Sequence, residues 1–575
     1  MNAKSKTSAG LSCLKDKDGN LLTSDKDKAN ALNNFFTSVF SKENLSNLPN
    51  LGEGSMSGGV IVNDCIITEA EIVKKLKDLN HNKAQGPDLI PPKVLKELAS
   101  QLSKPLYTLF NKSLEDSEIP SDWKFALVTA LHKKGNKTDP SNYRPVSLTC
   151  ICCKIMEKFI KDSIINHINE NNLYSECQHG FRSGRSCVTQ LIEVIEDLTK
   201  LIDQGKEVDI IYLDFKKAFD SIPHERLLLK MRGYGISGKL LGWVRAFLLG
   251  RKQQVRVGTS LSEVTEVLSG IPQGSILGPV LFTIFINDLP NLLQSTCKIF
   301  ADDTKIYNDV NNSDVIQSDL YKMQEWTEVW NIYFNVSKCK VMHLGKKNDC
   351  KDYVMKIESC NQKLETCDEE KDLGITFDNS LNFDIHIDNI IKKANQMIGV
   401  IKRTFTYLDK EIFVRLYKSL VRSNLEYGNI IWSPYLKRQS ISIEKVQRRA
   451  TKLVPQCKNM SYKQRLEYLN LYSLKGRRER GDLIQTYKIL HDIDNVDKNL
   501  LPKSHYNSTR NQSFKLRVCY SRTDKRKYTY SNRIVLKWNE LPEHYKNAQS
   551  LNSFKNLIDK DEKYKQLFME FDGRE

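Results

Sequence analysis

Two apolar runs that each stop at carboxylates constrain this chain more than any other feature. The first, Ile210, Ile211, Tyr212 and Leu213 in "VDIIYLDFKKAFD", ends at Asp214. The second, Ile299, Phe300 and Ala301 in "KIFADDTKIYND", ends at the adjacent pair Asp302 and Asp303. Short runs of β-branched and aromatic residues read as buried strands. A carboxylate closing such a strand must reach water or a partner, because burying it unpaired is costly. Asp also favours turns, and a hairpin turn would account for the pair by itself. If the two strands are neighbours, three carboxylates converge, and they repel one another unless a cation neutralises them. Hard oxygen donors favour Mg2+, which keeps several waters and binds phosphate oxygens. Two such ions about 3.5–4 Å apart clamp the attacking and leaving oxygens of an in-line phosphoryl displacement.

The whole chain sets the bounds. At 575 residues it is too long for one core, so about three or four subdomains are expected. No apolar run approaches the roughly 18–20 residues that span a membrane, and "MNAKSKTSAGLSCLKDKDGN" lacks the apolar core of a secretory signal. The 14 cysteines are scattered without regular spacing. Cys150, Cys152 and Cys153 cluster, and His343, Cys350, Cys360 and Cys367 are too far apart for a zinc knuckle, so these read as structural thiols in a reducing compartment. The net charge of +17 is uneven: residues 391–575 hold 39 Lys and Arg against 19 Asp and Glu. That excess fits a polyanion such as nucleic acid, or a solvated lysine-rich surface.

Apolar periodicity gives the organisation. "DKANALNNFFTSVFSKEN" reads as a helix, "GEGSMSGG" at 52–59 as a linker, and "TEAEIVKKLKDLN" as a helix capped by Thr68 with Glu71. "WKFALVTALHKKG" reads as a strand turning at Lys133, Lys134 and Gly135, and "VTQLIEVIEDLTKLIDQG" as a helix. "KQQVRVG", "CKVMHLG" and "KDLGITFD" read as further strands, with a helix at about 313–334. From 385 onward the chain reads mostly helical. The expected class is α+β, with few short strands flanked by helices. There is no G-x-G-x-x-G or Walker A loop.

The surrounding words then resemble a known family. "FADD" at 300–303 and "DFKKAFD" at 214–220 look like the two metal-binding boxes of reverse transcriptases, in the form typical of non-LTR (LINE-type, Jockey-like) retrotransposons. "KAQGPDLIPPKVLK", "NYRPVSLT", "HGFRSGRSC", "SGIPQGSILGPVLF", "KDLGITFD" and "LVRSNLEYGNIIWSPY" resemble the other blocks, in the right order. The resemblance implies a right-hand polymerase: fingers and palm with a small antiparallel sheet over 61–380, a helical thumb over 381–455, and a basic helical region over 456–575, preceded by a connector and linker over 1–60. It implies an RNA-directed DNA polymerase that transfers dNTPs to a primer 3′-hydroxyl on an RNA template with two Mg2+, or Mn2+. Asp214 and Asp302 would hold the metals, with Asp303 in support. Phe219 would stack under the incoming sugar and exclude a 2′-hydroxyl, although simple core packing explains it equally. Gln273 and Gly274 would line the nucleotide pocket, or form a Pro-Gln-Gly turn. Arg144 would neutralise the triphosphate, helped by Lys133 or Lys134. Lys338 aligns with a lysine that protonates the leaving pyrophosphate. Asp220 is assigned a structural role, Asp288 a helix end and His224 a turn.

"EKVQRRATKLV", "LKGRRERGDLIQTYKILH" and the Tyr-interleaved "SRTDKRKYTY" at 521–530 suit a surface that tracks phosphates and stacks bases, or a helical core with solvated lysines. Complete elements resemble a chain with an endonuclease ahead of the polymerase, which needs about 200 residues. The first 60 residues resemble only the connector after it, so a 5′-truncated copy or partial gene product is expected. The alternatives are a catalytically silent remnant and a maturase-like RNA-binding protein. Expected partners are the RNA template, the DNA primer, dNTPs and an element-encoded RNA-binding protein, with no membrane. The expected location is a ribonucleoprotein in cytoplasm and nucleus.

Overall fold

The computed structural model describes residues 11–571 except 17, 358, 359 and 505–513. Along the chain, the elements that position the site are α1 (Asp25–Ser38), β1 (Phe125–His132), β2 (Tyr143–Leu148), α2 (Ile151–Glu170), α3 (Cys187–Asp203) and β3 (Val208–Leu213). They continue with α4 (His224–Gly233), β4 (Lys252–Val257), α5 (Gly278–Ile286), β5 (Thr296–Phe300), β6 (Asp303–Asp309), α6 (Ser313–Trp330), β7 (Lys340–Leu344) and β8 (Glu365–Thr366). Then come α7 (Asp384–Thr404), α8 (Lys437–Thr451), α9 (Tyr462–Leu469), α10 (Leu474–Leu490), α11 (Leu551–Lys560) and α12 (Glu562–Met569). The result is mixed helix and sheet, as expected.

The central sheet has the order β8-β7-β3-β6-β5, antiparallel except for the β7–β8 pair. β3 is its middle strand and is buried on both faces, which is why its run Ile210–Leu213 is apolar without alternation, while the buried Asp209 is held by His343 and Tyr353. Ile211 and Leu213 join one core with α2, α4, α5 and α6, while Val208 and Ile210 join a second core on the opposite face. That second core takes in α3, α7, α8, α10, α11 and α12. The helix α5 is buried nearly all round, matching its unbroken apolar sequence. A separate sheet is built on β1, which pairs with β2 antiparallel and with β4 in parallel.

Two expectations need correction, and one open reading is narrowed. Residues 52–59 are not a free linker: Gly54 and Met56 N–H groups donate to Arg232 and Gly233 carbonyls at 3.0 and 2.8 Å, which straps the segment to the end of α4. The stretch "KDLGITFD" is not one strand. Glu369–Asp372 and Ile375–Asp378 form a hairpin, with Leu373 (φ 44°) and Gly374 (φ 90°) at the turn; left-handed angles there end the first strand. The basic stretch 521–530 is held against α3 rather than offered whole to solvent. Arg526 pairs with Glu196, the Arg522 and Thr523 N–H groups donate to Asp203 at 2.9 and 2.7 Å, and Tyr530 is buried.

Among the described residues no helix is long and apolar enough to cross a membrane. All 14 cysteines are free, and Cys150 and Cys153 are buried.

Candidate active site

The site is built on the register of β3 and the β5–β6 hairpin. Leu213 pairs with Thr304, so Asp214 and Asp303 leave the same edge of the sheet side by side. Phe300 pairs with Asp303, which makes Ala301 and Asp302 the hairpin turn. Ala301 lies in the left-handed region at φ 56°. Two contacts hold it there. Gln178, buried, accepts the Ala301 N–H at 3.2 Å and the Gly180 N–H at 2.7 Å on its Oε1. The segment before it runs beside β5: Ile299 N–H donates to the Cys177 carbonyl at 2.9 Å, and His179 N–H donates to the Ile299 carbonyl at 2.8 Å. Gly180 is needed because a Cβ there would lie 2.4 Å from the Ala301 nitrogen. The sequence reading picked out this block as a motif but not its job of shaping the turn.

The electrostatics are those of crowded carboxylates. Loss of hydration, then Asp302, Asp372 and Asp214, push Asp303 up to about 6, against the pull of Lys305. Asp302 is raised by burial and by Asp214, while Lys133 and Arg144 oppose the shift. Lys338 sits directly on Asp214, with Nζ 3.2 Å from Oδ2. Among the described residues no three acidic, His or Cys side chains are gathered tightly enough to hold a metal as they stand. The donors nevertheless suit a hard divalent cation: they are carboxylates, and their mutual repulsion is what a cation between them would relieve.

Residues expected from sequence to face a nucleotide gather around Asp220. Gln273 Nε2 donates to Asp220 Oδ1 at 2.7 Å, and the Ser147 N–H donates to the Gln273 carbonyl at 2.7 Å. Gly274 has φ 116°, and a Cβ there would meet the Ser147 carbonyl oxygen at 2.7 Å. Burial pushes Asp220 up to about 6, while Gln273, Lys217 and Arg144 pull it down. Asp220, taken as structural from sequence, is therefore the group that orients Gln273.

Lys217 is a cation that sequence reasoning missed. Its left-handed backbone (φ 46°) turns the chain after β3, and its ammonium lies 4.9 Å from the Phe35 ring centre. Burial and the like charges of Lys338, Lys133 and Arg144 lower its pKa. Four cations thus share one field with Asp214, Asp302 and Asp220. Lys134 is exposed in the loop after β1.

Phe219 is half-buried and stacks on Phe282 of α5, with centroids 4.5 Å apart and planes 18° apart. His224 opens α4, is buried, and bonds through Nε2 to the Gly270 carbonyl oxygen at 2.7 Å. Asp288 pairs with buried Lys230 and accepts from Trp326 Nε1 at 3.2 Å, away from the carboxylate group.

Asp214, Asp302 and Asp303 lie within a segment that resembles known proteins. Residues 131–408 match the family described as reverse transcriptase (RNA-dependent DNA polymerase). The chain is 27% identical over 404 residues to "Probable RNA-directed DNA polymerase from transposon X-element" of Drosophila melanogaster, covering 67% of this chain and 44% of that protein. It is 29% identical over 380 residues to "RNA-directed DNA polymerase from mobile element jockey" of Drosophila melanogaster, covering 63% and 41%. Its likeness to the jockey polymerase of Drosophila funebris is 29% over 383 residues, with the same coverage. The chain spans less than half the length of these relatives. Residues 131–408 are thus similar to reverse transcriptases, and the relatives that the chain resembles are named as RNA-directed DNA polymerases of the jockey and X-element mobile elements.

Proposed function

We propose that this chain is an RNA-directed DNA polymerase of a non-LTR retroelement. The observation that carries the reading is the pairing of β3 with the β5–β6 hairpin, which brings Asp214 to the same end of the sheet as Asp302 and Asp303, within a segment that matches the reverse transcriptase family. In right-hand terms, 61–380 supply fingers and palm, 381–455 the thumb and 456–575 a basic helical extension. The sheet on β1, β2 and β4 belongs to the fingers and the sheet on β3 to the palm.

Asp214 and Asp302 would hold two Mg2+ ions, or Mn2+, with Asp303 in support. Bound there, the ions would supply a lowered pKa for the primer 3′-hydroxyl and a counter-charge for the transferring phosphoryl group. Arg144 and Lys217, with Lys133 or Lys134, neutralise the triphosphate of the incoming dNTP. Asp220 orients Gln273, and Gly274 lets the backbone approach the nucleotide. Phe219, braced by Phe282, stands under the sugar and excludes a 2′-hydroxyl. Lys338 lies beside Asp214, where it would give a proton to the leaving pyrophosphate. Template RNA, DNA primer and an element-encoded RNA-binding protein are the partners.

Mn2+ titration followed by electron paramagnetic resonance tests the metal assignment without needing turnover. The parent should bind Mn2+, and Asp302→Asn/Asp303→Asn should lose that binding while keeping its melting temperature or raising it. Equal Mn2+ binding by a folded double variant would contradict the assignment.

A further inference from the structure

The helix α1 joins the sheet on β1 to the loop that follows β3. Its apolar stripe, Ala29, Leu32 and Phe36, is buried against Val128, Tyr143, Val255 and Val257 of β1, β2 and β4. Asn33 fixes the helix in place: its Nδ2 donates to the Glu263 carbonyl at 2.9 Å, and its Oδ1 accepts from Gln253 Nε2 at 3.2 Å. Phe35 lies at the border of the stripe and is only half-buried. The Lys217 ammonium stands over its ring, 4.9 Å from the centre.

The chain after α1 is tied to the same loop. The Ser41 N–H donates to Ser269 Oγ at 2.8 Å, and Ser41 Oγ donates to the Ser221 carbonyl at 2.7 Å. Ser269 Oγ in turn donates to the Asp220 carbonyl at 2.9 Å. Glu43 accepts the Glu225 and Arg226 N–H groups at 3.0 Å each and pairs with the Arg226 guanidinium at 3.0 Å, which anchors the segment at the start of α4. Phe36 and Phe40 close a cavity of about 30 Å³ whose lining includes Asp220 and Gln273. The ring of Phe35 is therefore held at both ends of its segment and set beside the residues that carry Lys217 and Asp220.

Lys217 lies among like charges. Lys133, Arg144 and Lys338 repel its ammonium, and Asp220 attracts it. A second carboxylate would hold the ammonium more firmly but would also cancel its charge. The electron-rich face of an aromatic ring attracts a cation and leaves its charge intact. An ammonium held in this way still has its charge to give to an anion arriving from solvent. We propose that Phe35 is a positioning residue for the nucleotide: its ring holds the Lys217 ammonium where the triphosphate of the incoming dNTP arrives. The inference rests on the reading of Lys217 as a triphosphate ligand.

The test is single-nucleotide extension with dTTP on a primed RNA template, run on the whole chain with a thermal melt of each variant. Phe35→Leu keeps the apolar bulk and removes the ring. It should raise the KM for dTTP about 3-fold to 30-fold and leave kcat within about 3-fold of the parent. Phe35→Tyr keeps the ring and should restore the parent KM. Lys217→Met should raise KM at least as much as Phe35→Leu, and adding Phe35→Leu to Lys217→Met should change nothing further, because the ring then has no cation to hold. The dTTP concentration that half-saturates the thermal shift of the chain on primer–template in Ca2+ should rank the variants in the same order without turnover. A parent that neither extends nor is stabilised by dTTP would defeat the reading of the site, and the inference with it. With a parent that binds dTTP, equal affinity in Phe35→Leu, no rescue by Phe35→Tyr, or a further loss when Phe35→Leu is added to Lys217→Met would overturn the inference alone.

Discussion

Replacing Gly180 by Ala adds one methyl group, and its effect can be worked out from the turn that it abuts. The new Cβ would sit 2.4 Å from the Ala301 nitrogen, 3.0 Å from Gln178 Oε1 and 3.1 Å from the Ala301 Cα. Ordinary contact begins near 3.4 Å, so about 1 Å of movement is needed. The obstacle is backbone, which cannot swing aside as a long side chain would. Gly180 has little room to retreat, because residues 177–179 are hydrogen-bonded along β5 and His179 is buried against Glu193, with Nε2 3.2 Å from Oε2. The displacement therefore passes to Ala301 and the two aspartates after it. Overpacking of this size costs about 1–3 kcal/mol of stability. A misplacement of about 1 Å in reacting groups costs on the order of 10²-fold in rate. Single-turnover primer extension beside a thermal melt separates the two effects. Gly399→Ala is the control: it lies inside α7, its nearest neighbour is the Arg403 guanidinium at 3.7 Å, and it should extend normally with up to about 1 kcal/mol of added stability. Extension by Gly180→Ala within threefold of the parent would refute the claim that this segment shapes the aspartate turn.

Asp303, raised to about 6, is stabilising to the fold only while protonated: its contribution is present below the unfolded value near 3.8 and is lost as pH rises through 6. Asp303→Asn should therefore raise the melting temperature at pH 8 in EDTA and leave it unchanged near pH 3.5, whereas Mn2+ affinity of the parent should fall as pH drops below about 6. Gln178→Leu leaves the buried Ala301 and Gly180 N–H groups without their acceptor and should cost about 1–3 kcal/mol, with extension slowed and partly restored in Gln178→Glu; equal rates for Leu and Glu would show that the acceptor is irrelevant. Lys305 and Asp372 form a buried ion pair beside Asp303. Lys305→Met should destabilise by about 3–5 kcal/mol in denaturant unfolding, and an unchanged midpoint would show that the pair does not matter.

The strands that carry the site were readable because their apolar runs are unbroken and their ends are charged. Asp214 and the Asp302–Asp303 pair stand out because each directly follows an apolar run. Long helices such as α3 and α6 were equally plain from periodicity. What stayed hidden depends on contacts between distant segments. Nothing local says that Gly180 faces Ala301, or that Asp220 accepts from Gln273 53 residues away. Lys217 looked like one lysine in a charged loop until its left-handed backbone placed it among Lys133, Arg144 and Lys338. The hairpin at 369–378 read as one strand because each arm has only four residues, too few to show a period. The basic segment 521–530 left two readings open, since the composition that suits a phosphate also suits Glu196 and Asp203, and those acids lie over 300 residues earlier.

The most direct test is primer extension on an RNA template with dNTPs and Mg2+, run for the parent and for Asp302→Asn/Asp303→Asn with matched thermal melts. The account predicts product from the parent and none from an equally folded double variant. Product from the double variant, or none from a well-folded parent, would contradict it.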